Sequence, residues 1–498
     1  MSVESAGVAR KSAIYAVASI VQKLSSLILL PIYTRLLTPE EYGYFNIIVT
    51  LLMLGGAVAA LGLEFAVVRY SHPSLSGTNE TAHNHGDRQA ENFTATYAIV
   101  IASSFLLTVV LVATGPLYSP LIFPGFDFYP VILIALSSIL FQPLTTVYLA
   151  LLQARSMARS FGTYSLALFA SNGLLTVILL GPMEAGLLGV ATSAVIVNAT
   201  FALYGTWRAF RLGMLWAKFN RDDVARLLSY ALPMLPHTLT LQATSLATRV
   251  IISNIVSVAA AGLFNIAMYA VNFIDAVQTA FHRSFLSWYF VQVDNKPTGW
   301  RVQVRNVIAS FVSASVVIAA SVALFADELL LILTPQDFHS AATIIPLLAL
   351  SMMVKSVYYP SLSALLYHRK GTNSVLLISG TSSAISIPLA IVGAWYWGLT
   401  GVAIAQLVQR LTMSAMAVKL SARLDFAGIP WSRVLKAQSG GLAIVAIVMI
   451  GDSVDWWGVD FWPLLSVKIV LWVALILYIL ICDPFLAKTA RSVVHREP

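Results

Sequence analysis

The chain has 498 residues, 58% hydrophobic and 10% charged, with a mean hydropathy of +0.81 and a formal net charge of +8. Soluble domains carry about a quarter charged residues, and no single soluble core could hide this much apolar surface, so the composition describes an all-α polytopic membrane protein. The single cysteine, Cys482, excludes an internal disulfide and any multi-cysteine metal site; the excess of Lys and Arg is read as cytoplasmic loop charge, with no nucleic-acid partner.

The N-terminal MSVESAGVARKSA shows no short apolar segment followed by a cleavage site, so the first apolar run is read as a retained span. In chain order, apolar runs predict fourteen transmembrane helices, near 13–35, 45–68, 95–115, 130–152, 161–181, 186–206, 227–250, 256–280, 306–326, 341–366, 374–397, 399–419, 437–451 and 463–482. An even number places both termini on one side. Loops on that side hold 24 of the 30 basic residues, whereas GPLYSPLIFPGFDFYP (115–130), ADELLLILTPQDF (326–338) and GDSVDWWGVDFWP (451–463) hold none. The positive-inside rule therefore predicts cytoplasmic termini. The longer inner segments, 70–94, 207–226 and 281–305, read as polar connectors. His72, His83 and His85 in the first read as hydrated loop residues, because no cysteine or ordered carboxylate completes a metal shell.

The sequence repeats itself. Thr34-Arg35 recurs as Thr248-Arg249 and Leu151-Leu152-x-x-Arg155 as Leu365-Leu366-x-x-Arg369, both at an offset of 214. Gly186-Leu-Leu-Gly189 recurs as Gly398-Leu-Thr-Gly401 at 212, and YGYFNII (42–48) as AGLFNIA (261–267) at 219. These offsets predict two six-helix lobes, residues 1–206 and 227–419, joined by a cytoplasmic linker (207–226) and followed by a helix pair and tail (420–498). Lobes of six spans share one orientation and should be related by a pseudo-twofold axis along the membrane normal, with a substrate path between them.

Six basic residues fall within the spans. Arg35, Arg249 and Lys468 lie near outer ends; Arg35 is expected to snorkel or meet Glu40 or Glu41, and Lys468 to snorkel. Lys23, Lys355 and Arg410 lie near mid-span, where each would cost about 2.5–3.5 kcal/mol against lipid. They are expected to face a wet interior or to pair with acids. Asp275 in span 8 and Glu64 near the inner end of span 2 are the candidates for ion pairing or for ion coupling. The balance is basic, which suits an anionic substrate held by Lys23, Arg249, Lys355 and Arg410. Span 7 opens with Pro233 and Pro236, which should kink it beside His237; that histidine is read as a packed residue.

The chain lacks a phosphate-binding Gly-x-x-x-x-Gly-Lys-[Ser/Thr] loop, HExxH and GxSxG. No cofactor is expected. The segments YAVASIVQKLSSLILLPIYTRLLTPEEYGYFNIIVTLL (15–52), LGLEFAVVRY (61–70), LLQARSMARSFGTYSLALFASN (151–172) and YALPMLPHTL (230–239) resemble the bacterial polysaccharide translocases. These are the O-antigen and capsule repeat-unit flippases of the multidrug/oligosaccharidyl-lipid/polysaccharide exporter superfamily. The resemblance implies twelve or fourteen helices around a cationic cavity in the inner membrane. It also implies transfer of undecaprenyl-diphosphate-linked oligosaccharide between leaflets, alongside membrane lipid and other polysaccharide assembly proteins as partners. Arg249 falls where such proteins often have an Asp-Arg pair, but Thr248 replaces the acid here. A multidrug or cation antiporter of the same superfamily, expected to carry cavity acids, is the alternative. A membrane glycan polymerase or transferase is disfavoured by the short outer loops; a duplicated scaffold without transport is the fourth reading.

Overall fold

The computed structural model describes residues 28–70, 82–368, 372–453 and 461–488. Cα proximity divides the chain into Met1–Asn254 and Ile255–Pro498. The first unit holds α1 (28–36), α2 (Pro39–Ala60), α3 (Leu63–Tyr70), α4 (Ala82–Ile122), α5 (Leu133–Ser137), α6 (Gln142–Ala154), α7 (Ala158–Leu180), α8 (Gly186–Arg211) and α9 (Arg221–Ala231), and α10 (Leu235–Ile255) closes it. The second unit holds α11 (Val258–Asn295), α12 (Trp300–Leu324), α13 (Ala326–Leu333), α14 (Ile345–Lys355), α15 (Tyr358–Tyr367), α16 (Thr372–Ser421), α17 (Trp431–Ser453) and α18 (Phe461–Cys482). The first unit thus takes in residues 227–254, which the repeat assigns to the second lobe.

Among the described residues, eleven helices are long and apolar enough to cross a membrane; the chain is a multi-pass membrane protein. Fourteen spans reduce to these eleven for three reasons. Most of the first lies outside the described residues. The seventh, α10, is too polar to be among the eleven. The eleventh and twelfth run together as α16, where Gly398 (φ 55, ψ −134) breaks the helix between them.

Local chemistry moves several expected boundaries. Thr38 caps α2 in a capping box with Glu41, and Pro39 occupies its first turn, so α2 begins before the expected residue 45. It ends at Leu61 and Gly62, both left-handed (φ 53 and 69), which splits the expected span 45–68 into α2 and α3. The connectors are also shorter than expected. In 281–305, Phe285, Tyr289 and Val293 continue an apolar stripe at helical spacing and pack with Trp300, Val304 and Ile308, so α11 and α12 extend to within four residues of each other. In 70–94, α4 is already formed from Ala82. His72 lies outside the described residues. At Pro233 and Pro236 the kink takes the form of a 3₁₀ turn, Leu232–Met234, between α9 and α10.

The repeat is visible in local geometry within each unit. Thr34 and Thr248 both donate from Oγ1 to the carbonyl four residues back, each at 2.9 Å. Arg35 and Arg249 likewise donate from Nη1 to the carbonyls of Pro31 and Ser245, again at 2.9 Å. Thr38 and Ser257, 219 residues apart, are both side-chain N-caps, and the buried Asn46 and Asn265 each donate to the carbonyl one turn back. Gly186 and Gly398 share a positive φ, 53° and 55°. Duplicated sequence has kept duplicated backbone chemistry.

Candidate functional site

The charged cluster in the second unit is set up by a helix break. Pro360 supplies no N–H to the carbonyl of Ser356, and the apolar segment Gln336–Tyr367 divides there into α14 and α15. A broken helix inside lipid leaves carbonyls that need donors. The turn bonds the last carbonyls of α14 only at 3.2–3.3 Å, from Ser356 and Val357 N–H, and three neighbouring helices add side-chain donors: Gln278 of α11 to Met352 O (2.9 Å), Gln438 of α17 to Met353 O (2.9 Å), and Ser414 of α16 to Val354 O (3.0 Å). The next residue is Lys355. Its position at the end of α14 is therefore held by side-chain bonds from α11, α16 and α17 to the three residues before it.

Lys355 is 9% exposed, and its ammonium donates to Oδ1 of Asp275 on α11. Tyr359, one turn later on α15, donates its hydroxyl to the same oxygen at 2.8 Å, and Thr279 lies 3.2 Å from that hydroxyl. His282, buried one turn further along α11, meets the Tyr359 ring at a tilt of 37° with centroids 5.1 Å apart and lies 3.2 Å through Nδ1 from the Ser363 hydroxyl. Arg410 lies on α16 one turn before Ser414, which bonds the carbonyl of Val354 next to Lys355. Its Nη1 reaches the Met413 sulfur at 3.6 Å, its Nε is buried without a hydrogen-bond acceptor, and among the described residues it has no ion pair. Lys355 holds the one described carboxylate, and Arg410 adds a second cation that does not reach it. A weak sulfur acceptor leaves most of the guanidinium's five donors to be used by something else.

The other sequence-derived residues fall elsewhere. Arg249 is in the first unit, half-buried, bonded to the carbonyl and hydroxyl of Ser245. Glu64, on α3, makes no ion pair among the described residues, and its Oε2 is buried without a hydrogen bond. Lys23 lies outside the described residues. Arg35 is exposed and bonded to Pro31 O, while Glu41 is committed to the α2 cap. Lys468 corrects the snorkelling expectation: it is 1% exposed and paired with Asp327 (3.2 Å) and Glu328 (2.9 Å) at the start of α13. The acids at the start of α13 satisfy it inside the protein, so it has no need to reach the headgroups. Sequence reasoning missed Tyr359, Gln278, Ser414 and Gln438; the signal available was Pro360 inside an apolar run.

The sequence profile of the polysaccharide biosynthesis protein family matches residues 8–281, more than half of the chain. The chain belongs to this family. No curated protein matches this polysaccharide biosynthesis protein by sequence. Its fold is similar to that of the lipid II flippase MurJ in an inward closed conformation (TM-score 0.69, 13% identity, covering 97% of this chain and 100% of that one). It is also similar to an inward-facing multidrug resistance MATE family transporter of the MOP superfamily (0.68, 13%, 81% and 94%). A third likeness is to a MOP superfamily transporter from Pyrococcus furiosus (0.58, 13%, 83% and 95%). The family member therefore has the MOP-superfamily transporter fold, in a protein of polysaccharide biosynthesis.

Proposed function

We propose that the protein is a flippase that carries polyprenyl-diphosphate-linked oligosaccharide across the bacterial inner membrane, with both termini in the cytoplasm. The observation that carries this reading is the imbalance at the helix break: Lys355 and Arg410 against Asp275. A diphosphate brings about two negative charges into a low-dielectric region, where unpaired ions are strongly penalised. Charge-assisted hydrogen bonds from an ammonium and a guanidinium offset that penalty.

Asp275 has a definite part in this scheme. Between turnovers it neutralises Lys355, so the buried ammonium is never bare; when substrate arrives, the diphosphate competes with Asp275 for Lys355 and fills the open donors of Arg410. The competition keeps binding reversible, since release re-forms a resident ion pair. Lys23 and Arg249 are proposed as further basic contacts on the path. A drug or cation antiporter would require the opposite charge balance at this break.

Transfer of lipid-linked glycan extracted from the source cells, reconstituted in proteoliposomes, tests the reading. Protein-dependent appearance of glycan on the opposite face supports it. Failure to move the glycan, with export of organic cations instead, would replace it by the antiporter.

A further inference from the structure

The first unit contains a cavity of about 460 Å³ that the proposed diphosphate chemistry does not use. It is lined by Glu64 and Arg69 of α3, Thr146 and Gln153 of α6, Phe161 of α7 and Tyr230 of α9. Its size lies within the range of about 300–1,000 Å³ that accommodates small ligands, and it combines apolar walls with a few convergent polar groups as such sites do.

The sequence explains why these groups converge. The left-handed pair Leu61–Gly62 ends α2 and turns the chain into α3. Gly62 is required there on two counts: its φ is 69°, and a Cβ would lie 3.0 Å from the carbonyl oxygen of Ala231, the last residue of α9. This close approach sets α3 against α9. Arg69 then lies over the Tyr230 ring, 4.6 Å from its centroid, while Tyr70 meets the same ring edge-on.

The charge pattern selects the ligand. Glu64 Oε2 is closed to solvent and accepts no hydrogen bond, a costly state for a carboxylate oxygen. A cation there would face the Arg69 guanidinium, and an anion would face Glu64. An uncharged ligand that both donates and accepts meets Glu64 and Arg69 without a charge clash, and its C–H groups can lie against the apolar wall of Phe65, Val68 and Leu149. Sugar rings have this chemistry. We infer that the Glu64 cavity is a saccharide subsite that holds part of the glycan of the lipid-linked substrate at the end of the first unit read as cytoplasmic. The inference rests on the flippase reading but uses different residues.

Two soluble probes separate the claims. One is the glycan released by mild acid from the lipid-linked pool of the source cells; the other is farnesyl diphosphate. Calorimetry on the full-length protein, in a detergent without a sugar headgroup, should show binding of both. Glu64→Gln and Tyr230→Leu should each weaken glycan binding by about tenfold or more and leave farnesyl diphosphate binding within about twofold, which also shows that the variants are folded. Absence of glycan binding by the parent protein, or unchanged glycan binding in both variants, would overturn the subsite, the latter pointing to a carboxyl that simply holds a proton. Loss of farnesyl diphosphate binding alone would count against the flippase reading instead.

Discussion

Lys355 and Tyr359, on the two sides of one helix break, donate to the same carboxylate oxygen, Oδ1 of Asp275. The break and the ion pair therefore depend on each other. Removing one member of a buried pair strands the other and costs about 3–5 kcal/mol, whereas replacing both with apolar groups of similar size is often neutral. Asp275→Ala should therefore lower thermal stability strongly, and Asp275→Leu combined with Lys355→Met should recover it while transport stays absent. A double variant that transports normally would show that the pair is structural only.

Positive φ at Gly62 and Gly398 has different surroundings and so different predicted costs. Gly398 has open space around its missing Cβ, so Gly398→Ala should cost only its backbone strain, about 1–3 kcal/mol. Gly62→Ala adds a collision with Ala231 O and should be the more damaging of the two in thermal unfolding. The reverse order would contradict the tight α3–α9 approach.

Outside the membrane, Lys296 and then Arg301 hydrogen-bond Asp425 and hold its carboxyl below the ordinary carboxylate range. A carboxyl depressed in the folded state adds stability that is present above its unfolded pKa and is lost as pH falls through the folded value. The loss should therefore fall on the acid side of about 3.8. All three groups are substantially exposed, so the contribution should be about 0.2–1 kcal/mol and shrink with salt. Asp425→Asn should flatten the acid limb of a stability–pH profile; a profile unchanged by the substitution would remove this clamp from the account.

Orientation is open to cysteine labelling on a Cys482→Ser background. Asp127→Cys should react with an impermeant thiol reagent from outside intact cells, and Trp216→Cys only after permeabilisation. The opposite pattern would invert the proposed topology.

Much of this architecture was legible in the sequence, for reasons specific to lipid. Apolar runs of span length are strong signals, and the repeat at 212–219 residues reappears as shared caps and shared glycine geometry. Asp275 and Lys355 stood out because charge inside an apolar run is costly. An ion pair between a mid-span base and Asp275 was expected, but which base it would be was not legible, because α11 and α14 are joined only by tertiary packing. Lys468 shows the same limit: its two acids lie about 140 residues earlier, and hydropathy alone left it at a membrane surface. The break at Ser356 was hidden by the uniform apolarity of 341–366, although Pro360 carried the same information as Pro233 and Pro236 in span 7.

Arg410 offers the most direct test of the central claim, because it makes no ion pair among the described residues and its loss strands no partner. Arg410→Ala, purified at the yield and unfolding temperature of the parent, should lose about tenfold or more in farnesyl diphosphate affinity and fail to move lipid-linked glycan in proteoliposomes, with Arg410→Lys intermediate in both. An Arg410→Ala protein that binds the diphosphate and moves the glycan as the parent does would contradict a cationic diphosphate site at this helix break.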